Sequence, residues 1–218
     1  MTEPSDIPML WVDIETTGLD QFDLHAKILE FGYVITDSKL EVIDRDSWII
    51  ENRDIDPSNY DEFIQDFHGP DKTDLLTLSA NGGSLRRRTD IAGNPLGITT
   101  VKGTWEMLSW VDTFMAETIC QSDIFGGELP MLHGSSIQFD RKWIEEHMPL
   151  LTNSLHHRSI DLSSLMELAK RWAPHVDIEL SLTPKKTHRV DDDLDDSIDL
   201  AAMYRSQLFD RQGRWWSS

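Results

Sequence analysis

Residues 9–15, "MLWVDIE", alternate along the chain: Leu10, Val12 and Ile14 fall on one face of a strand, with Trp11, Asp13 and Glu15 on the other. Residues 1–8 precede it as a frayed start, and "TTGLD" follows as a turn. "ILEFGYVITD" (28–37) and "EVIDRDSWII" (41–50) read as two more strands, joined by a short polar hairpin at Ser38 to Leu40. A short helix is expected over 58–68. Residues 69–103 lack a period and carry "SANGGSLRRRTDIAGNPLG", which predicts a long irregular loop or insertion. Met107, Leu108, Val111, Phe114 and Met115 then form a helical stripe over 104–119. "LPMLHG" predicts a buried strand, and helices follow near 139–148, 162–172 and 192–208. Strands early and helices late predict an α/β fold with a mixed sheet. Without repeat or linker, residues 1–218 are expected to form one domain, with the insertion at about 69–103.

The same periodicity sorts the acids. Residues 188–199 read "HRVDDDLDDSID". At about 100° per residue, Asp192, Asp195, Asp196 and Asp199 share one face of the last helix, the solvated one. Asp193 shares its side with Ser197, Leu200, Ala201, Tyr204 and Leu208, which must pack against the body of the protein. Asp13 and Glu15 emerge side by side from one strand face. Asp140 opens a helix whose apolar stripe continues through Trp143, Ile144 and His147. Each acid has an ordinary explanation: an exposed strand face, an N-cap, a side chain reaching to solvent. Four carboxylates leaning inward without an equal supply of inward lysines or arginines instead suit a hard divalent cation.

Composition narrows the setting. The chain has 20 basic and 39 acidic residues, a net charge of −19, eight tryptophans and one cysteine, Cys120. A surface this acidic repels a long polyanion at most points of approach, so any nucleic acid handled here is expected to be short or held through cations. A single cysteine excludes an internal disulfide and suits a reducing cytoplasm. No run approaches the about eighteen apolar residues of a membrane span, and no signal-peptide pattern opens the chain, so a soluble protein without membrane partners is expected.

"VDIETTGLD", "HGSSIQFD" and "HRVDDD" resemble, in order, the three motifs of the DEDDh (DnaQ-like) 3′→5′ exonucleases, most of all oligoribonuclease. "IDLSSLMELAKRWAP" and "THRVDDDLDDSIDLAAMYR" extend the likeness, which covers 9–50 and 131–209 and fades through 69–103. The resemblance implies a ribonuclease-H-like mixed sheet flanked by helices. It implies hydrolysis of short single-stranded RNA to nucleoside 5′-monophosphates with two Mg²⁺ or Mn²⁺ ions per site, and a homodimer. A related enzyme acting on single-stranded DNA is the alternative, and a binding protein that keeps the fold without the chemistry is the non-enzymatic one. Asp13, Glu15, Asp140 and Asp193 would be the metal-holding carboxylates and His188 the general base, an imidazole having an unperturbed pKa of roughly 6.5. Leu19 would wedge against the 3′-terminal base and Phe67 would sandwich it. Ser136, His156, His157, Arg158 and Ser163 would cap a 5′ phosphate, with His157 where the family has an aromatic residue. Arg86, Arg87 and Arg88 would either guide the strand or belong to a solvated loop, and Trp215 and Trp216 suggest tail packing or an oligomer contact.

Overall fold

The computed structural model describes residues 7–20, 22, 25–69, 72–81, 84–89, 95–101, 107–121, 123–173 and 188–209, with only the backbone path given for 84–89 and 95–101. Trp215 and Trp216 lie outside them. Among the described residues seven strands form one mixed sheet: β1 (Met9–Thr16), β2 (Ile28–Thr36), β3 (Val42–Ile49), β4 (Ser84–Thr89), β5 (Pro95–Val101), β6 (Leu132–Gly134) and β7 (Ser159–Asp161). Their spatial order is β5-β4-β3-β2-β1-β6-β7. The pairs from β1 to β5 are antiparallel, while β1–β6 and β6–β7 are parallel. The expected hairpin between β2 and β3 is present. Asp37 accepts from the N–H groups of Lys39 and Glu41, and Leu40 takes a φ of 72°.

Helices cover both faces of the sheet. They are α1 (Glu62–His68), α2 (Leu75–Ala80), α3 (Met107–Gln121), α4 (Gln138–His147), α5 (Pro149–Asn153), α6 (Leu162–Trp172) and α7 (Val190–Tyr204). The alternation of β1 explains the two layers. Leu10, Val12 and Ile14 join Phe31, Tyr33 and Trp48 under Val111 and Met115 of α3 and Trp143 and Ile144 of α4. Trp11 and Val34 point the other way, into a second core with Leu162 of α6 and Leu194, Leu200 and Tyr204 of α7. Being apolar on both faces, β2 is buried along its whole length.

The irregular insertion expected over 69–103 is corrected by α2 and by the β4–β5 hairpin. β4 extends the sheet beyond β3 with Asp46 opposite Arg88, Ser47 opposite Arg87 and Trp48 opposite Arg86. Three successive arginines erase the period-two signal. The open N–H and C=O row of β3 recruits the strand regardless, a tertiary effect that overrides local pattern. β7, three residues long, was also without a sequence signal.

Candidate active site

The site forms where β1 passes beneath the first turn of α7. Asp13 lies opposite Gly32 and Glu15 opposite Glu30 in the β1–β2 register. Gly32 is what lets α7 come so close. A Cβ there would sit 2.7 Å from Val190 Cγ2 and 3.0 Å from Leu194 Cδ1. With α7 seated on this strip, Asp13, Glu15 and Asp193 each offer an oxygen within 4.8 Å of the others.

Asp140 arrives from the opposite side of the sheet. The β1–β6 ladder runs out at the short end of β6, and the Ile14 N–H beyond it donates to Asp140 Oδ1 at 3.0 Å. Asp140 is buried along with Trp143 and Ile144, as the helical stripe predicts.

Burial and mutual repulsion weaken these acids. Desolvation, then Asp140 and Glu15, raise the Asp13 pKa well above the carboxylate range. Desolvation, then the Asp193 charge, push Glu15 up to about 9. Asp140 rises to about 8, again mainly through burial, with the Ile14 N–H pulling against the rise. Asp193 rises to about 6 through burial and the nearby Asp196 charge. A cluster that resists ionising in isolation, made wholly of oxygen donors, fits a small hard cation.

The outward acids of the same helix are managed differently. Arg45 of β3 pairs with Asp195 at 2.9 Å and Asp191 at 3.7 Å, and Ser47 Oγ donates to Asp191. Asp191, Asp192 and Asp193 occupy the first turn of α7, where the helix dipole favours negative charge.

His188 stands two residues before α7 in a left-handed conformation, φ 50°. The Phe67 ring meets it edge-on with centroids 4.4 Å apart. The next residue, Arg189, reaches back to the buried Glu30 on β2. His68 of α1 is buried with Nε2 3.4 Å from Glu15 Oε2. Desolvation, then the adjacent His188, lower its pKa to about 4, so His68 is a neutral neighbour of the cluster.

Beyond Glu15 opens a cleft of about 800 Å³, walled by Gly18, Leu19, Lys27, Tyr60 and Phe63 among others. Leu19 is 72% exposed and Phe63 53%, both unusual for large apolar groups. Phe63 shares the cleft with Leu19, while Phe67 packs edge-on against His188, its ring 4.9 Å from that of Phe63. Ile64 and His68 form the buried stripe of α1, which leaves Phe63 and Phe67, i and i+4, as a second, surface stripe.

The expected phosphate-cap residues fall into two groups. Ser136, at φ 56°, donates its N–H to Asp161 Oδ1 and Ser163 Oγ, and its hydroxyl lies 3.1 Å from that of Ser163. The His156 and His157 rings are 4.2 Å apart, and the Arg158 N–H donates to His156 Nδ1. Arg141, bonding His156 O and Ser159 Oγ, ties this turn to β7.

Among the described residues no helix is long and apolar enough to cross a membrane. No family model matches the chain. Exonuclease I from Methylocaldum szegediense superposes with a TM-score of 0.61 at 16% identity, covering 93% of this chain and 41% of that one. Escherichia coli exonuclease I in complex with a 5cy-dT13 oligonucleotide superposes with a TM-score of 0.58 at 14% identity, over 94% of this chain and 42% of that one. This chain thus spans about two-fifths of those exonucleases, and the likeness establishes the ribonuclease-H-like fold. Among curated proteins, oligoribonuclease of Vibrio vulnificus is 29% identical over 206 residues, 94% of this chain and 97% of its own. Mitochondrial oligoribonuclease of Mus musculus is 30% identical over 208 residues, 94% of this chain and 74% of its own. At that identity and coverage, and with acids of β1 and α7 brought within 4.8 Å of one another, the chain belongs to the oligoribonuclease family of DEDDh 3′→5′ exonucleases.

Proposed function

We propose that this protein degrades short single-stranded RNA from its 3′ end to nucleoside 5′-monophosphates, with two Mg²⁺ or Mn²⁺ ions per site. The observation that carries this reading is the convergence of Asp13, Glu15 and Asp193 within 4.8 Å of one another. Asp13, Glu15 and Asp193, with Asp140 beside them, would hold the ions. Bound there, such ions supply Lewis-acid stabilisation of charge developing on the phosphate and the departing 3′ oxygen.

The protein's own groups do the rest. His188 takes the proton of the attacking water. Leu19 wedges against the terminal base and Phe67, with Phe63 beside it, sandwiches it, setting the scissile bond over the carboxylates, the positioning that makes the attack effectively unimolecular. Neutral His68 packs beside Glu15, Nε2 3.4 Å from Oε2, and limits the rotamers open to that carboxylate.

Ser136, Ser163, His156, His157 and Arg158 bind the 5′ phosphate of a short substrate. We place His157 and Arg158 at the edge of a homodimer, which size-exclusion chromatography with light scattering tests. The net charge of −19 supports a short substrate, because a long strand would meet a repulsive field outside the site. The lone cysteine suits a reducing compartment, and the cytoplasm is the proposed location.

Oligo-dT held by a structural neighbour favours single-stranded DNA as the second reading. Turnover on 5′-labelled RNA and DNA from two to about twenty nucleotides, with Mg²⁺ and with Mn²⁺, separates the two. Preferred removal of the shortest RNAs is the expected result. Robust processing of only the long DNA would refute the first reading.

A further inference from the structure

The ion pair at the start of α7 connects a residue of the sheet to the proposed base. Glu30, 1% exposed, accepts from Arg189 Nε at 2.8 and 3.1 Å and from Arg189 Nη2 at 2.6 Å. Its Oε2 also receives the Val190 N–H at 3.3 Å, so a carboxylate from β2 satisfies the first free N–H of α7. Arg189 immediately follows His188, whose left-handed backbone is uncommon for any residue but glycine. Such a conformation persists only where its surroundings hold it. Here the guanidinium fork fixes one side and the Phe67 ring, edge-on at 4.4 Å, the other.

Burying another acid here is otherwise unfavourable. Glu30 stands opposite Glu15 in register and adds to the repulsion on both Asp13 and Glu15. A neutral side chain at this position would spare the cluster that charge. The arrangement makes sense if the direction imposed on Arg189, and through it on His188, is what the pair provides.

We propose that Glu30 and Arg189 are positioning residues that hold His188 at the angle from which it serves the attacking water. This rests on the reading of His188 as the base, and the experiment separates the two. The paired variant Glu30→Gln/Arg189→Met leaves no buried charge unpaired. It is expected to fold, to bind Mn²⁺ with unchanged affinity, and to lose about 100-fold in kcat at unchanged KM, the scale of a catalytic group displaced by about 1 Å. In a His188→Ala background the same pair should cost nothing further. In the metal-free protein, the His188 imidazole should give one narrow NMR correlation in the wild type and shifted or multiple ones in the pair variant.

Full turnover by His188→Ala alone would overturn the role of the base itself. An inactive His188→Ala in whose background the pair still lowers residual turnover, or a pair variant with wild-type kcat, would overturn the positioning role alone. Should the pair variant not fold, Arg189→Lys decides: a lowered kcat with a shifted His188 signal supports the proposal, and wild-type kcat refutes it.

Discussion

Gly32→Ala is the most economical test of how the site is assembled, because it adds a single methyl group, wedged between β2 and the first turn of α7. The new Cβ would sit 2.7 Å from Val190 Cγ2 and 3.0 Å from both Val190 Cβ and Leu194 Cδ1. Val190 and Leu194 are buried at 0% and 1% exposure, so neither can swing into solvent. To regain ordinary contact at 3.4 Å, the start of α7 must retreat by roughly 0.7 Å. Overpacking of this kind costs about 1–3 kcal/mol, and a chain of this size loses about 2–4 °C of melting temperature for each. The larger effect is on Asp193 and His188, which travel with the helix. Displacing catalytic groups by about 1 Å costs about 100-fold in rate. Turnover on a short RNA, Mn²⁺ affinity by calorimetry and thermal denaturation should therefore all change together. Adding Val190→Ala makes room for the methyl group and should recover much of the Mn²⁺ affinity and turnover. Wild-type turnover and Mn²⁺ affinity in Gly32→Ala would refute the claim that close approach of α7 builds the site.

The raised pKa values of Glu15, Asp140 and Asp193, about 9, 8 and 6, make the metal-free fold bind more protons than the unfolded chain. Their destabilising effect is absent below the unfolded pKa of about 4 and grows as pH rises through those folded values. In EDTA the melting temperature should thus fall from pH 5 to pH 9, and Mn²⁺ should flatten the slope; a rise across that range without metal would contradict the electrostatics. Asp13→Asn or Asp193→Asn should lower hydrolysis by more than about 100-fold, beyond the loss typical of an outer-shell partner, while raising the metal-free melting temperature. Unchanged hydrolysis in both would remove the mechanism. Phe63→Ala should raise KM for a short RNA far more than it changes metal-free stability, since its ring is already 53% exposed; Phe67→Ala should raise KM and lower kcat together, and wild-type kinetics in Phe67→Ala would remove it from the base sandwich.

The parts of this fold legible in the sequence were those governed by neighbours along the chain. Alternation in "MLWVDIE" located β1 and its two faces, and helical spacing put Asp140 in the core and Asp193 beside Asp13 and Glu15, although Asp192 and Asp196, expected on the solvated face, are half-buried too. What stayed hidden depends on partners distant in sequence. β4 exists because β3 leaves an edge open, and three arginines in a row give no sign of it. Gly32 reads as an ordinary weak point in a strand until α7 is laid across it. Glu30 was a missed signal rather than an absent one. An acid inside the otherwise apolar run "ILEFGYVIT" asks for a buried cation, and Arg189, 159 residues away, supplies it.

The proposed metal ligands on β1 and α7 lie almost the full described length of the chain apart, with Asp140 of α4 between them in sequence. During synthesis, the sheet emerges well before the helix that completes the charge cluster. Until α7 docks, Trp11 and Val34 lack the cover that Leu194, Leu200 and Tyr204 give them, and Asp13 and Glu15 lack their third carboxylate. A growing or prematurely stopped chain therefore carries an uncovered apolar face and an incomplete charge cluster, so cover for the second core and the Asp193 carboxylate arrive in one docking event.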